Sequence, residues 1–148
     1  MNVPVFRART RCLVVILAPV MFTATTHGIL VSALPHYEGA RSGTLEERFL
    51  FSYRITIVNR SQRTVQLLRR HWHITDSMAP PLEVEGPGVV GATPVLEPGA
   101  QFSYTSYCEL HSELGRMEGT YRMKHVDDGS EFDVAIPAFN LHVPHIGN

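Results

Sequence analysis

Two neighbouring stretches decide the fold of this chain: Leu67–Asp76, which reads LLRRHWHITD, and Glu85–Gly91, which reads EGPGVVG. The first contains Trp72, the single tryptophan, and the second contains the densest group of glycines. Only a short connection separates them, so the two stretches are expected to lie close together in space.

Side chains alternate along the first stretch with a period of two, which predicts an extended β-strand. One face carries Leu68, Trp72 and Ile74, and the other carries Arg69, His71 and His73. Trp72 is therefore predicted to anchor the core, and the Arg/His face is predicted to be exposed. Arg70 falls on the apolar face, where its stem is expected to pack while its head reaches water.

Residues Gly86–Gly91 read GPGVVG and match the G-x-G-x-x-G string of dinucleotide-binding folds. That string indicates such a site only where a helix begins directly after it. Here Pro94 and Pro98 follow within eight residues and leave no room for a helix. The glycines are instead expected to serve a bulge, a tight turn or close backbone packing.

The composition is that of an ordinary globular domain, with 148 residues, 44% hydrophobic and 18% charged. A net charge of −1 provides no global field that would attract nucleic acid or a membrane, so neither partner is expected. The basic residues are twelve arginines and Lys124, which reflects either genomic base composition or anion binding through guanidinium groups. Cys12 and Cys108 are too few for a disulfide framework and predict reduced thiols in a cytoplasmic protein.

The first 22 residues differ from the remainder, so residues 1–22 are interpreted as an N-terminal extension and residues 23–148 as one domain. Three arginines precede the apolar run Cys12–Phe22, as in a signal peptide. The run is too short to span a bilayer, and no A-x-A-like cleavage pair follows it. Three alternatives stay open: export, a non-native upstream start, or a segment packed on the domain.

From His27 onward the pattern predicts short β-strands separated by turns. The strongest alternation runs from Phe49 to Ile57, and the Asp128-Gly129 pair predicts a hairpin turn. One strand is expected to end at Pro35, before a loop over 38–47. Another is expected to stop at Pro137, before a separate segment over 139–143.

Seven or more strands at spacings near ten residues favour an all-β fold, a fibronectin-III or immunoglobulin-like antiparallel β-sandwich, with a barrel as the alternative. The predicted core residues are Phe51, Tyr53, Ile55, Trp72, Phe102, Tyr104, Tyr121 and Phe132.

Residues from about Thr26 to Val143 resemble the ApaG family. The matching segments are Phe51–Asn59, Gln66–Asp76, Val84–Gly91, Pro94–Gly99, Phe102–Ser106, Gly115–Tyr121 and Ile136–Phe139. The resemblance implies a fibronectin-III-like sandwich in a bacterial cytoplasmic protein without established catalytic residues. It also implies an association with genes of diadenosine tetraphosphate metabolism and of cobalt and magnesium homeostasis. Similar domains are appended to some F-box proteins and to a polymerase-interacting protein.

A small anion such as pyrophosphate is the ligand that the residues favour. Cationic or protonatable side chains and the backbone of the glycine cluster are expected to converge on it. This candidate site consists of Arg69, His71, His73, Gly86, Gly88 and Gly91. His71 and His73 are the alternative metal ligands, but two ligands do not close a site, and Arg69 on the same face repels a cation.

No reaction is indicated by the sequence. A G-x-S-x-G nucleophile motif is absent from it, and Cys108 and His111 lack a local catalytic signature. We therefore predict a protein that is not an enzyme and needs no cofactor. The leading interpretation is a protein-interaction module with a protein partner or a second copy of itself, and the alternative is a binding protein for an anion, a nucleotide or a divalent metal.

Overall fold

The computed structural model describes residues 19–41 and 47–145, and within these ranges every regular element is a β-strand. The strands are β1 (Phe22–Thr26), β2 (Ile29–Arg41), β3 (Arg48–Asn59), β4 (Val65–Asp76), β5 (Ala79–Pro87), β6 (Val95–Leu96), β7 (Gln101–Leu110), β8 (Leu114–His125) and β9 (Glu131–His142). The signal-like run falls mostly on residues 1–18, outside the described residues.

Two antiparallel sheets form a sandwich, which confirms the predicted all-β sandwich class. Sheet 1 has the strand order β1-β2-β3-β7. Sheet 2 has the order β5-β4-β8-β9, and the short β6 pairs with the beginning of β4 beyond the end of β5. Successive side chains of each strand point alternately into the space between the sheets and away from it. The inward-pointing side chains of the two sheets therefore meet in the core.

The core forms around Trp72, which is 3% exposed. Its ring centroid lies 5.4 Å from that of Tyr53 in sheet 1, and 6.5 and 6.0 Å from those of Tyr121 and Phe139 in sheet 2. The alternation along β3 is confirmed, since Phe49, Phe51, Tyr53, Ile55 and Ile57 are all buried. Of the predicted core residues, Phe102 and Phe132 are half-buried and pack at its margin.

A β-bulge changes the expected pattern of β4. Leu67 pairs with Met123 and Arg69 with Arg122, so Leu68 is an extra residue without a counterpart on β8. As a result Leu67 is buried at 1% exposure, whereas Leu68 is only half-buried. The prediction that Leu68 continues the Trp72 face is wrong, because the bulge shifts the alternation by one position.

Two prolines lie inside strands that were expected to end there. Beyond Ala33, β2 pairs with β3 alone, so Pro35 lies at an edge of the described sheet, where a residue without an N–H group is tolerated. On β9 the pairing jumps from Ile136 to Phe139 opposite β8, and Pro137 occupies this irregularity on an edge strand. The expected separate segment over 139–143 is therefore largely the second half of β9.

The sandwich is closed along one side and open along the other. On the closed side, the ring centroids of Phe22 and Phe139 lie 6.4 Å apart, and Ala135 N–H donates to Thr26 Oγ1 at 3.1 Å. Phe22 thus belongs to β1, one residue before the domain start expected from the sequence. On the open side, β7 and β5 flank a cleft that leads toward the core.

Candidate functional site: the open edge and the outer face of sheet 2

The glycine cluster forms a tight turn, which is one of the roles predicted for it. Val89 and Ala92 exchange two backbone hydrogen bonds of 2.8 and 2.9 Å, and Val90 and Gly91 between them have φ of 44° and 79°. Two positive φ values define a type I′ turn. At Gly88, with φ of +62°, an added Cβ would lie 2.3 Å from the carbonyl oxygen of Ala92, so only glycine fits.

Arg70 is held against this turn. Its Nη1 donates hydrogen bonds to the carbonyl oxygens of Pro87 and Gly88, at 2.9 and 3.0 Å. A Cβ added at Gly86 would lie 3.2 Å from Nη2, so the bare backbone of Gly86 makes room for the guanidinium. The head of Arg70, for which the sequence predicts a position in water, instead caps two carbonyl groups at the mouth of the cleft.

The structure separates the candidate anion-binding residues into two groups. Arg69, His71 and His73 lie on the outer face of sheet 2, as predicted, with His71 half-buried and the others exposed. Gly86 and Gly88 are buried beside Arg70, and the Gly88 N–H donates to the Leu68 carbonyl at 2.8 Å. Gly91 lies at the exposed tip of the turn. The glycine backbone, which was expected to converge with Arg69, His71 and His73, therefore lies mainly beside Arg70 instead.

Two glutamates of β5 lie beside Arg69, His71 and His73 on the outer face of sheet 2. Glu83 Oε2 lies 3.3 Å from His71 Nε2, and Glu83 Oε1 lies 3.2 Å from His73 Nδ1. Glu85 Oε1 lies 3.7 Å from Arg69 Nη2. An anion at this face would have to compete with both carboxylates. In the sequence, the alternation Glu83-Val84-Glu85 is the only sign that these two glutamates share a face. Their position beside the residues of β4 follows only from the β4–β5 register.

The open-edge cleft is a cavity of about 260 Å³ between sheet 2 and β7. Its walls are apolar and aromatic, and Arg70 supplies the only charged side chain among the described lining residues, which are Tyr53, Arg70, Trp72, Ile74, Val84, Val89, Val90, Tyr104, Ser106, Tyr107 and Met117. A second depression of about 230 Å³ shares Ile74 and continues past Ala79, Pro80 and Leu82. The lining of this second depression also includes the ionisable residues Asp76, Glu109 and His111.

Tyr53 and Tyr104 bring hydroxyl groups to the lining of the cleft, and Tyr121 is buried behind Tyr104. The hydroxyl groups of Tyr104 and Tyr121 hydrogen-bond each other between the sheets. Burial raises the pKa of Tyr53, Tyr104 and Tyr121 above the ordinary value of 10.0, although the Arg70 charge lowers each pKa slightly. All three hydroxyls are therefore neutral at physiological pH. The positive charge of Arg70 thus determines the sign of the electrostatic potential in the cleft.

Comparison with known proteins decides the family. A sequence profile of the ApaG domain (DUF525) matches residues 39–125. The chain is 50% identical to Protein ApaG of Paramagnetospirillum magneticum over 125 residues, which cover 84% of this chain and 95% of the relative. The chain belongs to the ApaG family. Protein ApaG of Brucella suis is 48% identical, over 84% of this chain and 95% of its own length.

Solved ApaG-like structures have the same architecture. The putative ApaA protein from Bordetella pertussis superposes with a TM-score of 0.73 at 37% identity, over 86% of this chain and 100% of its own. An X-ray structure of a Northeast Structural Genomics Consortium target, SoR45, superposes with a TM-score of 0.76 at 38% identity, over 82% of this chain and 93% of its own. The sandwich of this ApaG chain is therefore that of its relatives.

The Cys108 thiol of this ApaG chain is a poor nucleophile. Cys108 lies on the buried face of β7 and forms no disulfide among the described residues. Burial, together with the nearby Asp76 and Glu109 carboxylates, raises the pKa of the Cys108 thiol to about 11, so the thiol is protonated at neutral pH. Across residues 19–41 and 47–145, no helix has the length and apolarity required to cross a bilayer.

Proposed function

We propose that this ApaG-family chain is a non-catalytic protein-interaction module that binds an extended apolar segment of a cytoplasmic partner protein. The observation that carries the proposal is the apolar open-edge cleft, which lies between two sheet edges and reaches toward Trp72. Exposed apolar side chains surround its mouth, with Val90 60% and Tyr107 63% exposed. Apolar surface of this kind, next to a sheet edge, is a common feature of peptide-binding domains.

The two edges beside the cleft differ in their capacity to pair with another strand. Within the described residues β7 pairs with β3 alone, and it contains no proline. The edge strand β5 contains Pro80, Pro81 and Pro87, each of which lacks an N–H group. The proposed partner segment therefore adds to the β7 edge as a further strand and places alternate side chains in the cleft.

The charge of Arg70 narrows the chemistry of the occupant. Arg70 is the only charged side chain that lines the cleft in the described part of the chain, and its Nη1 is already occupied by two carbonyl groups. A basic side chain placed beside it would be repelled, whereas a neutral or acidic one is compatible. We therefore infer an apolar partner segment that has no Lys or Arg at the position facing Arg70.

Photo-crosslinking in cells tests the proposal. A photoreactive amino acid at position 107, on the rim, is expected to capture one defined partner, and the same group at Arg116, exposed on the outer face of sheet 2, is not. Val90→Lys, which adds a positive charge at the rim, should abolish the capture. Val126→Lys is the matched control, since Val126 is an exposed valine on the β8–β9 turn.

Equal capture from positions 107 and 116 would contradict the proposal, as would undiminished capture in the Val90→Lys variant. Capture of the chain by itself would identify a second copy as the occupant and would replace the partner protein with a homo-oligomer.

A further inference from the structure

The outer face of sheet 2 carries a group of metal-ligating side chains that is distinct from the open-edge cleft. This His–Glu cluster consists of His71, His73 and Glu83, whose nearest ligand atoms all lie within 4.8 Å of one another. We propose that the His–Glu cluster binds one divalent transition metal ion of the zinc type. The proposal is independent of the function assigned to the cleft.

The spacing of the ligand atoms fits a single ion. His71 Nε2 and His73 Nδ1 lie 3.3 and 3.2 Å from the two oxygens of the Glu83 carboxylate. Zinc bonds to histidine nitrogen and carboxylate oxygen are about 2.0–2.2 Å long, so neighbouring ligands of a tetrahedral ion lie about 3.3–3.6 Å apart. Each imidazole nitrogen lies at about this distance from a different oxygen of the same Glu83 carboxylate, and one ligand atom from each of the three side chains lies within 4.8 Å of the other two.

Two adjacent, paired strands, β4 and β5, hold these three side chains close together. His71 and His73 are two residues apart on β4, so both project from one face. Glu83 lies directly opposite His73 on the neighbouring strand β5. Because β4 is paired on both sides, with β5 and β8, the two histidines project from the interior of the sheet rather than from a loop.

The charges around the cluster favour a cation. The sequence predicts weak metal binding because Arg69 shares this face, but Glu85 lies 3.7 Å from the Arg69 guanidinium and offsets its charge. Glu118 on β8 lies opposite His73. Its Oε2 lies 3.6 Å from Arg116 Nη2, so this carboxylate is also paired with an arginine. A histidine binds a metal ion as a neutral imidazole, so the three ligands together would bring the single negative charge of Glu83 to a divalent ion, and borderline metals prefer imidazole nitrogen.

Three protein ligands leave coordination positions open. The side chains of His71, His73 and Glu83 are 35%, 47% and 67% exposed, so the ion would face solvent. A structural zinc site closes with four protein ligands, whereas a site with three holds water or an external ligand in the fourth position. The cluster is therefore expected to bind zinc reversibly and to admit a ligand from outside the chain.

Calorimetric titration with zinc chloride at pH 8 tests the inference. The unmodified protein is expected to bind one zinc ion. Glu83→Gln and His73→Asn each remove a ligand and should weaken binding by at least the roughly 10–100-fold that changes in surrounding residues cause. Glu118→Gln is the matched control, because it removes a carboxylate of the same face without removing a ligand, and it should leave the affinity within about threefold.

Imidazole NMR spectra provide a second readout that does not depend on affinity. Among the histidine ring signals, only those of His71 and His73 should shift when zinc is added. Zinc must displace protons from the ligands, so binding should be weaker at pH 5.5 than at pH 8. Magnesium, which prefers oxygen ligands, should cause no shift.

The inference is overturned if the unmodified protein gives no heat with zinc at pH 8. It is also overturned if binding persists unchanged in both ligand variants, which would assign the zinc to other histidines. Titration with inorganic pyrophosphate distinguishes the metal site from the remaining alternative, an anion site on the same face. Pyrophosphate binding without metal that becomes tighter in Glu83→Gln would make this face an anion site, as the sequence predicts, and not a metal site.

Discussion

Trp72 joins the two sheets through ring contacts with Tyr53 on one side and with Tyr121 and Phe139 on the other. Trp72→Ala leaves a cavity among three rings, and we expect it to lower the free energy of unfolding by about 3–5 kcal/mol. Urea denaturation measures the loss. Thr75→Ala, at an exposed position of the same strand, should change stability by less than about 0.5 kcal/mol. Similar losses in both variants would contradict the central role of Trp72.

Asp76 links the end of β4 to the connection between β7 and β8. Its Oδ1 accepts hydrogen bonds from Ser112 Oγ at 2.6 Å and from the Met78 N–H at 3.0 Å, and its Oδ2 accepts from the His111 N–H at 2.6 Å. Burial acts to raise the pKa of this carboxyl, but these hydrogen bonds outweigh it and hold the pKa below the ordinary value of 3.8.

A depressed pKa makes the contribution of Asp76 depend on pH. The carboxylate stabilises the fold fully above the pKa of the unfolded chain, near 3.8, and its contribution is lost as the pH falls through the lower folded pKa. Asp76→Asn should therefore destabilise the protein by about 1–3 kcal/mol at pH 7. Urea midpoints should show the gap between the variants narrowing below about pH 4. A gap of constant size from pH 7 to pH 2 would show that ionisation of Asp76 is irrelevant.

At the scale of elements, the turn Val89–Ala92 contains a strained residue. Val90 is β-branched and has φ of 44°, a conformation that valine rarely adopts. Val90→Asn retains the type I′ turn and should raise stability by about 1 kcal/mol, because asparagine tolerates positive φ. Gly88→Ala should lower it, since its Cβ would contact the Ala92 carbonyl. Thermal unfolding measures both, and a lower midpoint in Val90→Asn would refute the strain.

The burial of a residue could be predicted from the sequence where it follows from the alternation within one strand. It could not be predicted where it depends on how that strand pairs with its neighbours. The alternation along β3 identifies Phe51 and Ile55 because it needs no knowledge of neighbouring strands. The bulge at Leu68 arises from the pairing of β4 with β8, so no property of β4 alone reveals it. Pro35 lies within a strand because only one side of β2 is paired there.

The candidate site shows the same division. The sequence places Arg69, His71 and His73 on one exposed face, as the structure does. The companions Glu83 and Glu85 come from β5, and they meet the basic residues only through the β4–β5 register. The guanidinium of Arg70 turns to the carbonyl groups of Pro87 and Gly88, which depends on the conformation of the turn. The sequence of β4 therefore predicts which residues share the outer face of sheet 2. It does not predict the glutamates of β5 that offset the positive charge of this face.

At the scale of the whole molecule, β1 closes one side of the sandwich, so the point at which the chain is shortened matters. A chain that begins at Pro19 retains β1 and should keep the urea midpoint of the full chain. A chain that begins at His27 lacks β1 and the contact between Phe22 and Phe139, and its midpoint should fall. Loss of the contacts of the half-buried Phe22 ring alone should cost about 1 kcal/mol.

Phe22→Ala in the full-length chain separates the ring from the strand, and it should reproduce part of the loss. If the chain that begins at Pro19 is itself much less stable than the full chain, residues before Pro19 contribute to the domain, and the alternative of a segment packed on the domain is favoured.

The order of strands in sheet 1 has a consequence for synthesis on the ribosome. Strand β3 ends at Asn59, but its partner β7 begins at Gln101, about 40 residues later. At elongation rates of about 5–20 residues per second, β3 is made about 2–8 s before β7 can cover its edge. Throughout that interval the nascent chain presents an unpaired edge of β3, and the inward-facing Phe51, Ile55 and Ile57 stay uncovered until β8 and β9 complete sheet 2. Chaperones that bind nascent chains are therefore expected to shield this segment until translation has passed β9.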